Sequence, residues 1–308
     1  MAKKSNQFII GVDGGGTKTI AALSDMKGKI LIQSTKGPSN PRNVGLKTAV
    51  SNISRAIESV LKKGEIISTA IALPAMEEEY KGKKNTILRL LKKEKKISRI
   101  FKGKVRILSD QLVAFRAGTD KKDGIVLIAG TGCVAHGWKK KKDVKVSGWG
   151  WLADRGSAFW VGQRVFQVIL RDLDKRGPET ILSKMAFQTL KIKNTKEFLK
   201  KNYSKNPTKI IPKLSIICDK AIQKGDKVAK GIMVEAGKEV ALNATTVISR
   251  MNFQKIKFPL ILVGSMFKTK IFLHTVKKEI KKSAPKAQII LLIKPPVNGS
   301  IKIALEEI

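Results

Sequence analysis

Two glycine loops limit what this chain can fold into more than any other feature. Gly11-Val12-Asp13-Gly14-Gly15-Gly16-Thr17-Lys18-Thr19 and Gly130-Thr131-Gly132-Cys133 each follow a short apolar run and each precede a second strand-like run. Phe8 to Val12 is apolar apart from Gly11, and Ile20 to Gln33 reads as two short strands turned at Asp25-Met26-Lys27-Gly28. The second copy repeats the plan. Ile125 to Ala129 is apolar, and after the loop Val134-Ala135-His136-Gly137-Trp138 and Val144-Lys145-Val146 flank a turn from Lys139 to Asp143. Successive glycines let backbone N–H groups converge on an anion with no Cβ in the way, and Thr17 and Thr131 add hydroxyl donors. Two such hairpins facing each other are expected to grip a polyphosphate from both sides.

Neighbouring phosphate motifs do not fit. A Walker loop ends in Gly-Lys-Ser/Thr and opens a helix, whereas Gly16 is followed by Thr17 and only then by Lys18, and the next segment reads as strand. Gly130-Thr131-Gly132-Cys133-Val134-Ala135 satisfies a loosened dinucleotide pattern, but a turn-rich hairpin follows it where a helix is required.

At 308 residues and 42% hydrophobic, the chain is long and apolar enough for two cores. No run of eighteen apolar residues occurs, and Met1-Ala2-Lys3-Lys4 leads straight into the first strand, so the expectation is a soluble cytoplasmic protein. Cys133 and Cys218 lie far apart and read as small hydrophobes rather than as a disulfide or a zinc site.

The formal charge of +38, from 62 basic and 24 acidic residues, would attract any polyanion. The lysines are nevertheless scattered in short groups such as Lys92-Lys93, Lys139 to Lys142 and Lys281-Lys282, and the two tyrosines, Tyr80 and Tyr203, form no stacking platform. Solvated faces are expected, with no specific nucleic-acid or membrane partner.

Along the chain, Gly37-Pro38-Ser39-Asn40-Pro41-Arg42-Asn43-Val44-Gly45 reads as a turn. A helix from Leu46 to Lys62, a buried strand from Ile66 to Leu73, a helix around Thr86 to Lys93 and a strand from Val105 to Ser109 follow. The second half starts near Gly124 and inserts a mostly helical stretch, Ser157 to Arg250, before a strand from Phe258 to Val263. Pro295 to Ser300 opens a last amphipathic helix that runs to Ile308. Alternating strands and helices predict a mixed α/β sheet in each half.

The ordered set Asp13 to Thr19, Gly37-Pro38-Ser39-Asn40, Ser109-Asp110, Ala129-Gly130-Thr131-Gly132, Gly148-Trp149-Gly150, Asp154-Arg155-Gly156-Ser157, Val263-Gly264-Ser265 and Pro296-Val297-Asn298-Gly299 resembles the N-acetylglucosamine kinase and BadF/BadG-type ATPase family. That family lies within the actin-like sugar kinase superfamily, and the likeness spans nearly the whole chain. It implies an α/β fold of two ribonuclease-H-like domains with ATP in the cleft between them. Residues 1–118, completed by a C-terminal helix 296–308, would form the first domain, and 119–295 the second with its helical insertion.

The resemblance also implies roles. Asp110 is similar to the family's general base toward the sugar hydroxyl, a carboxylate at a strand end being well placed for that work; an N-cap for a helix over Gln111 to Ala117 is the alternative. Asp13 is similar to the carboxylate that organises Mg²⁺ through metal-bound water. Gly14, Gly15, Gly16, Thr17 and Lys18, with Gly130, Thr131 and Gly132, would hold the phosphates, and Gly264 and Ser265 the adenosine. Asn40, Gly148, Trp149 and Asp154 resemble the sugar contacts, alongside Asp110. Turn, core and cap roles for Asn40, Trp149 and Asp154 stay open on the residues alone.

Two departures bear on substrate choice. Arg155 stands where the family usually has Glu, and Leu73-Pro74-Ala75-Met76 stands where small Ser/Gly residues are common. The resulting expectation is an ATP- and Mg²⁺-dependent sugar kinase, a homodimer, acting on an amino sugar such as N-acetylglucosamine or glucosamine. The alternatives are a BadF/BadG-type ATPase activator and a non-catalytic regulatory ATP-binding protein.

Overall fold

The computed structural model describes residues 6–74, 76, 81–203 and 206–308. The expectation placed on Ala75 lies outside the described residues, as does Tyr80. The chain separates into two compact units, Met1–Lys121 with Leu292–Ile308, and Lys122–Leu291.

The first unit runs β1 (Gln7–Gly14), β2 (Thr19–Ser24), β3 (Ile30–Lys36), α1 (Pro41–Glu58), β4 (Glu65–Leu73), α2 (Lys84–Lys92), β5 (Lys104–Ser109) and α3 (Asp110–Gly118). Its five-stranded sheet has the order β3-β2-β1-β4-β5. The three strands β1 to β3 pair antiparallel as a meander, and β4 and β5 then join parallel to β1. Strand alternation sends Phe8, Ile10 and Val12 to one face, where they pack with Val50, Ile53 and Ile57 of α1. Ile9 goes to the other face and packs with Val113 of α3 and with Val297, Ile301 and Ala304 near the C-terminus. Gly11 has no side chain because Ile301 fills its place: a Cβ there would lie 2.8 Å from the Ile301 amide nitrogen.

The second unit runs β6 (Gly124–Ala129), β7 (Cys133–Lys139), β8 (Lys142–Ser147), then six helices, α4 (Ala158–Leu173), α5 (Leu182–Leu190), α6 (Thr195–Asn202), α7 (Pro207–Ile210), α8 (Lys213–Gln223) and α9 (Lys227–Arg250), and finally β9 (Pro259–Val263), α10 (Lys270–Ser283) and β10 (Gln288–Leu291). Its sheet order, β10-β9-β6-β7-β8, is the first unit's order over again. A meander comes first, and two parallel strands follow it. Ile125, Leu127 and Ala129 meet Phe258, Phe267 and Phe272 and the apolar stripe of α9 in one large core. The last helix, α11 (Val297–Glu306), belongs to the first unit, where the buried Ser300 hydroxyl donates to the Val12 carbonyl at 2.8 Å.

One sequence expectation and two of the alternatives are corrected. Helix α1 begins at Pro41, not Leu46, because Asn40 caps it and Pro41 fits its first turn; Gly45, at φ 75°, interrupts it where the turn was expected. The cap of α3 is Ser109, which accepts from the Leu112 amide at 3.2 Å, so Asp110 is the first helical residue rather than the cap. Ser157, not Asp154, caps α4 by accepting from the Trp160 amide at 3.2 Å.

Candidate active site

In the first unit the loop between β1 and β2 is built from glycines with different jobs. Gly14 is a packing residue, since a Cβ there would come within 2.6 Å of Leu73 Cδ2. Gly15 makes the turn, donating to the Lys18 carbonyl at 2.9 Å, and its own carbonyl accepts from the Ser39 and Asn40 amides at 3.0 and 3.1 Å. The segment that leads into α1 is thereby pinned to the loop. Gly16, Thr17 and Lys18 are exposed, and their N–H groups have no acceptor among the described residues. Three consecutive exposed N–H groups without a protein acceptor, with a lysine among the three residues, are what an anion needs.

Asp13 precedes this loop on β1, paired with Ile20 of β2 and Ala72 of β4. Burial pushes its carboxyl up to about 6, with the Lys18 charge pulling the other way. Asp110 follows the end of β5, where Ser109 pairs with Leu73 of β4. Both carboxylates therefore stand at the C-terminal ends of parallel strands, with β4 between their strands. At the usual strand spacing that puts β1 and β5 roughly 10 Å apart. Asp110 also lies in the first turn of α3.

Among the described residues no group of three or more His, Cys, Asp or Glu side chains could enclose a metal ion. A single strand-end carboxylate beside exposed loop amides suits an ion such as Mg²⁺ that keeps much of its water. Cation binding would also favour the ionised form of the desolvated Asp13.

Asn40 lies beside this loop. Its Oδ1 accepts from the Arg42 amide at 3.0 Å, which leaves the side-chain NH₂ as the group available to a ligand.

In the second unit the loop from Gly130 to Gly132 is held from below by α4. The Ala158 amide donates to the Gly130 carbonyl at 2.8 Å and the Phe159 amide to the Thr131 carbonyl at 3.3 Å. A Cβ at Gly130 would meet nothing within 4 Å, whereas one at Gly132 would lie 2.7 Å from Asp154 Oδ2. Local packing thus explains Gly132 and leaves the space beside Gly130 open. Gly264, at φ 122°, packs so closely that a Cβ would overlap the Ala129 carbonyl, and this seats the exposed Ser265 next to the loop.

Asp154 is 3% exposed, and both of its oxygens are in use. Oδ1 accepts from the Ser147 hydroxyl and from the Gly148 and Trp149 amides at 3.0–3.1 Å, and Oδ2 accepts from the Cys133 amide at 3.2 Å. The carboxylate thus ties the glycine loop to the Gly148-Trp149 segment. Trp149 is 73% exposed, with Lys145 Nζ 5.4 Å from its ring centroid. Arg155 points to α9, pairing with Glu239 at 2.8 Å and lying 5.5 Å from the Trp160 ring centroid.

The two cysteines are buried, and burial is the main cause that pushes each thiol up to about 12. Sequence reasoning missed Ser39, Ser109, Ser147 and Ser157. A serine at a strand-to-helix switch is a readable cap signal, which would have found Ser109. Ser147 carries no such signal, because its partner exists only once the chain has folded.

A family model described as the BadF/BadG/BcrA/BcrD ATPase family matches residues 10–305. The chain is 29% identical to an N-acetylmuramic acid/N-acetylglucosamine kinase of Clostridium acetobutylicum, with 98% of this chain and 99% of the relative covered. It is 28% identical to an N-acetyl-D-glucosamine kinase of Dictyostelium discoideum, with 98% of both covered. Among solved structures, a provisional N-acetylglucosamine kinase from Chromobacterium violaceum superposes with a TM-score of 0.71 at 17% identity, covering 97% of this chain and 98% of the other.

Proposed function

The chain belongs to the BadF/BadG/BcrA/BcrD ATPase family, and from that premise we propose that it is an ATP-dependent carbohydrate kinase whose acceptor is an amino sugar, N-acetylglucosamine first. The full-length likeness to two kinases of that sugar supports the acceptor. The observation that carries the chemistry lies in the first unit, where two carboxylates stand at parallel strand ends on either side of β4, and the one on β1 leads into an exposed loop whose three amides have no acceptor among the described residues.

In this mechanism the amides of Gly16, Thr17 and Lys18 and the loop Gly130 to Gly132 take phosphate oxygens, and the Lys18 ammonium offsets their charge. Gly264 and Ser265 adjoin the adenosine. Asp110 Oδ accepts the proton of the sugar hydroxyl as that oxygen attacks the γ-phosphorus and the bond from that phosphorus to the β,γ-bridging oxygen breaks, with ADP as the leaving group. The Asn40 amide, Gly148 and Trp149 hold the sugar, and Asp154 acts by fixing the backbone at Gly148 and Trp149. Asp13 would hold Mg²⁺ through water, and the ion supplies charge neutralisation on the phosphates when bound.

The activator reading needs a cysteine thiolate at a subunit surface, and both cysteines are buried, protonated thiols. A cytoplasmic homodimer without a nucleic-acid partner remains part of the proposal on the family resemblance and the scattered lysines. No described helix is long and apolar enough to cross a membrane. A coupled ATP-consumption screen over N-acetylglucosamine, N-acetylmuramic acid, glucosamine and glucose tests the reading. N-acetylglucosamine is expected to give the highest kcat/KM, and ATP turnover indifferent to every sugar would overturn it.

A further inference from the structure

Away from the candidate active site, the first unit contains a cleft of about 470 Å³. Its walls are the tip of the β2–β3 hairpin at Lys27 and Gly28, the C-terminal end of α3 at Arg116, and the outer side of α11 at Asn298, Lys302 and Glu306. Gly28 touches α11, since a Cβ there would lie 3.1 Å from Leu305 Cδ1, so hairpin and helix close one end.

The charges do not cancel. Arg116, 6% exposed, pairs with Glu306 through two hydrogen bonds. Lys302 pairs with Asp120 and caps α3 by donating to the carbonyls of Arg116 and Thr119. Lys27 and Lys294 remain, and neither has a carboxylate at ion-pairing distance among the described residues. Arg116 Nε is also buried without a hydrogen-bond partner. The field reaches Asp120, whose carboxyl is held below the ordinary range by its hydrogen bond with Lys302 and then by the charges of Lys302, Arg116 and Lys294. A cleft with two cations left over favours a dianion, and Ala117, Ile301 and Leu305 add an apolar wall.

We propose that this cleft is a second ligand site of the protein, one that binds a phosphate monoester with its phosphate between Lys27 and Lys294 and its organic body against Ile301 and Leu305. A phosphate monoester carries close to two negative charges at neutral pH. The volume lies within the range of small-molecule sites, roughly 300–1,000 Å³. Position adds a consequence. Asp120 and Lys294 lie next to the two places where the chain passes between units, at Lys121–Lys122 and Leu291–Leu292. A bound ester would link the Lys27 hairpin to the second of those crossings and stiffen it. The proposal does not depend on the kinase reading.

Isothermal titration of the full-length protein with glucose 6-phosphate, adenosine 5′-monophosphate and inorganic phosphate tests it. The comparison is among wild type, Lys27→Glu/Lys294→Glu, and Lys47→Glu/Lys92→Glu, which makes the same charge change at exposed positions on α1 and α2. At least one ester is expected to bind wild type, and to lose about tenfold or more in affinity in the cleft variant but not in the control. Binding at the glycine loops would be untouched by the cleft variant. Equal affinity in wild type and cleft variant, or an equal loss in the control, overturns the proposal. Inorganic phosphate matching the esters would overturn the ester class, because the apolar wall would then contribute nothing. Circular dichroism and thermal unfolding confirm that the variants fold.

Discussion

The two units share one sheet order and fix their glycine loops in opposite ways. In the first unit Gly14 pairs with Thr19 to close the hairpin, and one step inward Asp13 pairs with Ile20. In the second unit Ala129 pairs with Cys133, and the position that corresponds to Asp13 is Ile128. The first unit thus keeps a desolvated carboxylate on its central strand. The second has none there and brings Asp154 in from a later turn, where four donors satisfy it. Duplicating a scaffold does not duplicate its chemistry. One carboxylate is left desolvated, and the other is spent on holding the backbone still.

The comparison predicts that carboxylates in the two units fail differently. The largest effect is expected at Asp110, where Asp110→Asn should lower kcat by about 10²- to 10⁴-fold with ATP affinity and stability nearly unchanged. Steady-state kinetics check this, and a variant keeping half of wild-type turnover would remove the chemistry from the first unit. Next, Asp154→Ala leaves the buried Cys133 amide and the part-buried Gly148 and Trp149 amides without their acceptor. It should destabilise by about 2–4 kcal/mol. Chemical denaturation measures that, and a change below about 1 kcal/mol would show that the bracket is not structural.

Asp13 should show the opposite sign. Its folded-state pKa is raised to about 6, so the stability that comes with its neutral form is complete below the ordinary value of 3.8 and is lost as pH rises through 6. Asp13→Asn should therefore be more stable than wild type by about 1–3 kcal/mol at pH 7.5 and equal to it near pH 3.5, while losing activity. Urea unfolding at the two pH values decides; a gain of equal size at both would mean that burial of the charge is not its cause.

The smallest stability effects separate the second loop's own glycines. Gly132→Ala meets Asp154 Oδ2 and should cost about 1–3 kcal/mol, whereas Gly130→Val enters open space and should leave the melting temperature unchanged. If the loop holds phosphate, Gly130→Val should nevertheless abolish binding of a fluorescent ATP analogue. Normal affinity in that folded variant would reduce the loop to an ordinary turn.

Much of the fold was legible because its signals are local. Short continuous apolar runs mark β1, β6 and β9, glycine runs mark the loops, and the duplicated meander follows from spacing alone. Helix starts were less legible. Ser39-Asn40 and Ser109-Asp110 each offer adjacent polar residues as caps, and which one caps depends on where the preceding segment stops. Of the candidate site, residue types and order were readable, but the work each carboxylate does was not.

The sequence by itself determined two α/β sheets, each with a glycine hairpin at a strand end, because strand period and turn chemistry are written within a few residues. Tertiary structure alone decided that Asp154 ties Cys133 to Ser147, Gly148 and Trp149, and that Asp13 sits desolvated beside β4 with its proton held to about pH 6. A carboxylate's burial and its donors depend on segments that meet only when the sheets close, and no short stretch of sequence encodes that meeting.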